Sequence, residues 1–233
     1  MAEIQKYKPT DKMIDLISDN YNLLQVMSRF GLSLGFGDKT VREVCEMNKV
    51  DCPTFLAVVN FVVEGYSRMD AGENVSIPAL VDYLRQAHIY FLDFCLPGIR
   101  RKLIYAIDCS DDDVSYLILK FFDEYMREVR KHMEYEEKTV FKYVDDLLAG
   151  KRPKNYQIST FSKHHDSISE KLTELKNILI KYCPDKANKS MLNAALFDIY
   201  TCEEGLDSHC KIEDYLFVPA ILKLEKRLIE NEK

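Results

Sequence analysis

The sequence predicts an all-α protein: an antiparallel four-helix bundle preceded by a small helical N-terminal domain. Three observations point there. Apolar residues recur at steps of three and four along most of the 233-residue chain. Glycine and proline are scarce, at 8 and 7 residues, and mostly fall between the periodic stretches. The longest periodic stretches number four and are separated by three short breaks, the pattern of helices whose neighbours run antiparallel.

In chain order, Thr10 or Asp11 can cap a first helix reaching about Phe30. The segment from Gly31 to Asp38 is rich in turn residues and ends it. Thr40 starts a second short helix through about Asn48, and Asp51 to Thr54 start a third. Residues 65–78 gather glycine and polar residues and read as a linker, with Ser76 as a cap and Pro78 in the first turn of the next helix. The division is therefore a domain over 1–66 and a bundle over 76–233. The first bundle helix runs from about Pro78 to Ile107, and Pro97 inside it should kink or divide it. Asp108 to Asp113 form a polar break and cap. The second helix covers about Val114 to Leu148 and is ended by Gly150 and Pro153. The third covers about Ser159 to Tyr182 and stops at Pro184, and the fourth runs from about Lys189 to Ile229.

Composition narrows the function. A net charge of −6 and an isoelectric point near 5.5 argue against a nucleic-acid partner. The longest apolar run, Phe55 to Val63, is broken by Asn60 and is too short to span a bilayer, so no membrane role is expected. The first residues, Met1 to Lys6, show no apolar signal region, so a cytoplasmic location is expected. Seven cysteines are scattered without a Cys-x-x-Cys, which reads as reduced thiols, mostly packed as small apolar side chains.

The chemistry lies in the histidines. His132 is followed by Glu136 and His209 by Glu213, each spaced by one helical turn, so each pair shares a face. On the second bundle helix the stripe runs Leu117, Phe121, Tyr125, Val129, His132, Glu136, Val140, Tyr143 and Leu147. On the fourth it runs Leu192, Leu196, Ile199, Cys202, Leu206, His209, Glu213, Leu216 or Phe217, and Ala220. The first helix adds His88 on Val81, Leu84, Leu92, Cys95 and Ile99. The third adds His165 on Ile158, Phe161, Ile168, Leu172, Leu175 and Leu179, with His164 turned about 100° away. A single inward histidine reads as a hydrogen-bonded core residue. Two His–Glu pairs on apolar stripes read as ligands, because two carboxylates buried together resist joint ionisation until a cation neutralises them. Imidazole with carboxylate suits iron, manganese or zinc.

These segments resemble a known family. His88 to Pro97, His132-Met133-Glu134-Tyr135-Glu136 with Phe141, His165-Asp166, and His209 to Glu213 with Leu216-Phe217-Val218-Pro219 are similar to a hemerythrin-like (HHE cation-binding) domain. The set of four histidines and two glutamates is most similar to the di-iron proteins that repair iron–sulfur clusters after nitric oxide or oxidative damage. Oxygen-carrying hemerythrins bring a further histidine. Residues from about Met13 to Asn60, with Phe30-Gly31-Leu32, Gly37 and Thr40-Val41-Arg42-Glu43-Val44-Cys45, are similar to the small N-terminal domain of those repair proteins. Gly35-Phe36 stand where that family carries a vicinal cysteine pair, so thiol transfer by those positions is not implied.

The resemblance implies two non-haem iron ions, oxo- or hydroxo-bridged, held by His88, His132, Glu136, His165, His209 and Glu213, with the two glutamates bridging. It implies O2 or NO as ligand, damaged iron–sulfur proteins as partners, and a role in cluster repair or stress defence. A non-catalytic gas or metal sensor and a zinc-bound or metal-free scaffold are the other readings. Asp166, Tyr135 and Glu203 are candidates to orient the imidazoles.

Overall fold

The computed structural model describes residues 6–65, 75–107, 113–153, 155–163, 166–183 and 186–231, with backbone alone for 162–163 and 166–170. Among them the regular structure is helical, with a single isolated bridge pairing Lys12 and Thr40.

The N-terminal helices are α1 (Met13–Asp19), α2 (Leu23–Arg29), α3 (Val41–Met47) and α4 (Cys52–Glu64). The one helix expected as far as Phe30 is thus two. Asn20 adopts an extended backbone, and its side-chain oxygen accepts from the Asn22 N–H at 3.0 Å. Asparagine competes locally for backbone donors in this way, and the competition breaks the helix where apolar spacing alone would continue it. The caps expected for α3 and α4 are present, whereas the one expected at Thr10 or Asp11 is not: Lys12 stands at the N-cap of α1 and makes no side-chain capping bond. Thr40 and Glu43 form a reciprocal capping box on α3, and Asp51 accepts from the Thr54 N–H at 2.9 Å at the start of α4. Gly31, Gly35 and Gly37 take φ of 70°, 91° and 62°, which accounts for the turn-rich break between α2 and α3.

The later helices are α5 (Ile77–Ile89), α6 (Leu96–Ala106), α7 (Asp113–Tyr135), α8 (Phe141–Leu148), α9 (Asp166–Tyr182), α10 (Lys189–Ile212) and α11 (Val218–Asn231). Ser76 caps α5, accepting from the Ala79 N–H at 3.4 Å. A 3-10 turn, Ile158–Lys163, precedes α9. Three gaps in this series are not breaks but π-helical turns within continuous helices: Tyr90–Cys95, Glu136–Val140 and Glu213–Phe217. In each, an N–H bonds five residues back: Leu96 to Phe91, Phe141 to Glu136, Val218 to Glu213. Pro97 is absorbed by the first of them. It sits in the opening turn of α6, immediately after the π turn, so the helix continues past it with a changed register.

The chain forms two compact units. One comprises 1–87, 144–159 and 211–233, the other 88–143 and 160–210. The first unit is centred on Met13, Leu16, Val41, Phe55, Val58, Leu84 and Ile221, all at most 1% exposed. Within it the buried Asn60 side chain pairs with the backbone of Tyr7 through both its oxygen and its amide. In the second, α7 packs against α9 and α6. Its core is Ile118, Phe122, Tyr125, Val129, Leu175, Ile199 and Leu206. Arg100 ties α6 to Asp123 of α7 through two hydrogen bonds of 2.6 and 3.0 Å.

The register differs from the straight stripes in particular places. On α7 the buried residues are Ile118 and Phe122, whereas Leu117 is 58% exposed. On the first bundle helix Phe91 and Leu96 are fully buried in place of Leu92 and Cys95. The step from Phe91 to Leu96 is five residues, the signature of the π turn between them.

Candidate metal centre

All three π turns lie at the predicted ligands. The first begins two residues after His88, and the others begin at Glu136 and at Glu213. A π turn inserts a residue into a helix and rotates everything beyond it, at a cost in hydrogen-bond geometry that is retained mostly at functional sites.

His88 is 3% exposed, His209 1%, and Glu136 and Glu213 are fully buried. One ligand atom from each of these four lies within 4.8 Å of the others, a grouping able to hold a metal ion. Glu213 follows His209 by one turn of the same continuous helix. Glu136 is the hub. Its carboxylate meets His88 Nε2 at 2.8 Å, His132 Nε2 at 2.7 Å and His209 Nε2 at 4.0 Å. Thus the structure brings His88, Glu136, His209 and Glu213 together, and His132 reaches them through Glu136. His165 and the alternative His164 lie outside the described residues.

Electrostatics support a cation here. Burial pushes the Glu136 carboxyl towards protonation, but the close imidazoles of His132, His209 and His88 outweigh it and hold the group well below the usual carboxylate range. Both Glu136 oxygens are buried, and the partners they face are these imidazole nitrogens. A buried anion so placed is costly unless a positive charge completes its surroundings. The donor set, neutral nitrogen with carboxylate oxygen, fits a divalent or trivalent transition-metal ion.

The walls are aromatic. Phe141 stacks on His88 with ring centroids 5.5 Å apart and planes inclined by 13°. Phe91 meets the His209 ring edge-on at 6.1 Å, and the imidazoles of His88 and His209 lie at 67° to one another. Such walls exclude water and strengthen every charge interaction inside.

One residue escaped the sequence. Glu137 Oε1 lies 2.9 Å from His88 Nδ1, so both ring nitrogens of His88 face carboxylates. With a metal ion at the centre, the Glu137 contact would keep the His88 proton on Nδ1 and leave the Nε2 lone pair to the ion. Its one sequence signal is the pairing Glu136-Glu137 at the edge of an apolar stripe. Glu203, a candidate orienting group, instead accepts from Thr173 at 2.7 Å and pairs with Lys176. The Asp166 side chain lies outside the described residues.

No helix among the described residues is long and apolar enough to cross a membrane. Comparison with curated proteins returns no match. The family model described as hemerythrin HHE cation-binding domain matches residues 79–221, more than half of the chain and the span holding every residue of this cluster. On that match and this cluster, the chain belongs to the hemerythrin HHE cation-binding family.

Proposed function

We propose that this protein is a non-haem di-iron protein that binds or reacts with O2 or NO, acting in the cytoplasm in iron–sulfur cluster repair or in defence against nitrosative and oxidative stress. The observation that carries the reading is Glu136, a fully buried carboxylate facing three imidazoles, with the buried Glu213 beside them. In this reading Glu136 and Glu213, with His88, His132, His209 and His165, would hold two irons. Iron in such a nitrogen and oxygen set binds diatomic ligands and exchanges electrons with them. The protein's own part is to hold the imidazoles in place. Glu137 accepts the proton of His88 Nδ1, and Phe91 and Phe141 keep water from the ring faces. The N-terminal helices, as a domain over 1–66 beside a bundle over 76–233, dock the damaged iron–sulfur partner.

Elemental analysis and an optical spectrum of protein produced with added iron test this. About two irons per chain, with an oxo-to-iron charge-transfer band, are expected. A stoichiometric zinc content, or no bound metal, overturns the di-iron reading. Stopped-flow spectra of the reduced protein with each gas then test its reactivity.

A second reading is a non-catalytic sensor of a diatomic gas or metal. It is favoured by Gly35-Phe36 at the place of the repair family's cysteine pair. Restoration of activity to a damaged iron–sulfur enzyme separates the two, since a sensor restores none.

A further inference from the structure

α7 presents a second apolar stripe to solvent. Packing turns Ile118, Phe122 and Tyr125 inward, and this phase leaves Val114, Leu117 and Phe121 on the neighbouring face, at steps of three and four. On α9, Ile178 and Tyr182 lie one turn apart and stand opposite them. These side chains wall an apolar cavity of about 480 Å³, with the buried Ile118 in its floor. The cavity opens to solvent between Leu117, 58% exposed, and Tyr182, 66% exposed. Two charged residues, Lys120 and Glu124, complete its lining. A contiguous apolar surface with a polar rim marks an interaction site.

The charges decide what fits there. Lys120 forms no ion pair among the described residues, and Glu124 has a loose one, with Arg127 at 3.8 Å. A helix face carrying a cation and an anion one turn apart is complementary to its own copy laid antiparallel. A two-fold axis crossing α7 midway between them sets Lys120 beside the partner's Glu124, and Glu124 beside the partner's Lys120. Phe121 lies next to that axis, so the apolar stripes meet where the charges do. A small apolar acid fits less well, since Glu124 repels the carboxylate that Lys120 attracts, and an uncharged apolar ligand leaves both charges unmatched.

We propose that this face of α7 and α9 is the interface of a two-fold symmetric homodimer. The contact covers Val114, Leu117, Phe121, Ile178 and Tyr182 and forms the Lys120–Glu124 pair twice. Burial of the apolar stripe supplies the affinity, and the charges fix the antiparallel orientation. The interface is independent of the metal reading, since Leu117 lies about 22 Å along the helix from His132.

Sedimentation equilibrium of the full chain, at loading concentrations from about 1 to 100 μM, tests this. The wild type is expected to pass from monomer to dimer within that range. Lys120→Glu sets acid against acid at both contacts, and Glu124→Lys sets base against base, so each should weaken the dimer at least about 10-fold. An equimolar mixture of the two variants should dimerise again, because each copy then meets its opposite. Neither misfolding nor a general change of net charge produces that rescue. Both side chains are exposed, and circular dichroism should show the variants as helical as the wild type. A wild type that stays monomeric throughout, a dimer that both substitutions leave intact, or a mixture that stays monomeric overturns the proposal. A monomer from which native mass spectrometry releases an apolar small molecule also overturns it and assigns the cavity to that ligand.

Discussion

Replacing Glu137 tests how far the centre depends on a residue that touches no metal. Glu137 holds His88 by its Nδ1 at 2.9 Å, and the opposite nitrogen of the same ring lies 2.8 Å from Glu136. In Glu137→Ala the His88 ring can rotate and take the other tautomer, which places an N–H where a lone pair is needed. Outer partners of metal-bound histidines are worth about 10- to 100-fold in metal affinity, or about 1.4 to 2.7 kcal/mol. The Glu137 side chain is 37% exposed, and solvent screens part of its effect, so the loss should fall at the lower end, near 10-fold. Competition titrations with a chelator, using iron or zinc, read the affinity directly. Glu137→Gln, which keeps an acceptor oxygen, should recover part of the loss. Glu134→Ala is the control: it removes an exposed partner of Lys138 on the same helix and should leave affinity unchanged. An affinity for Glu137→Ala within twofold of wild type, or an equal loss in Glu134→Ala, would refute the reasoning.

The same structure sets other expectations. Glu136→Ala and Glu213→Ala should each abolish stoichiometric metal binding, measured by elemental analysis after desalting. In the wild type, metal at about 1,000 times its dissociation constant should raise unfolding stability by about 4 kcal/mol, and a chelator should reverse the gain. The π register is tested by a pair of truncations in chemical denaturation. Leu96→Ala empties a fully buried position and should cost about 2–5 kcal/mol, whereas Leu92→Ala, at a less buried position, should cost less than half as much. Equal costs would favour an unbroken α-helical register. Thr40→Ala should destabilise by about 1 kcal/mol through loss of the α3 cap. The same box sets a pH dependence. Hydrogen bonds from the Thr40 backbone and side chain hold the Glu43 carboxyl below its ordinary range. Its contribution is therefore present above the unfolded value and lost as pH falls through the lower folded value. Denaturation midpoints of Glu43→Gln and wild type should converge across that acid window and differ above it.

The helical class, the caps at Thr40, Asp51 and Ser76, and the inward faces of His88, Glu136, His209 and Glu213 were legible in the sequence. Each of these is written in local chemistry: a 3.6-residue period, a hydroxyl or carboxylate before a helix, a polar pair at one-turn spacing. Tertiary structure decided the rest. No local rule gives the step of five from Phe91 to Leu96, because a π turn is unfavourable on its own and persists only where the surrounding packing supports it. The partnership of Glu137 with His88, 49 residues apart, belongs to the same class. Periodicity shows which face of a helix is buried, but the atom that a side chain touches depends on the phase of its neighbours, and only the packed chain fixes that phase.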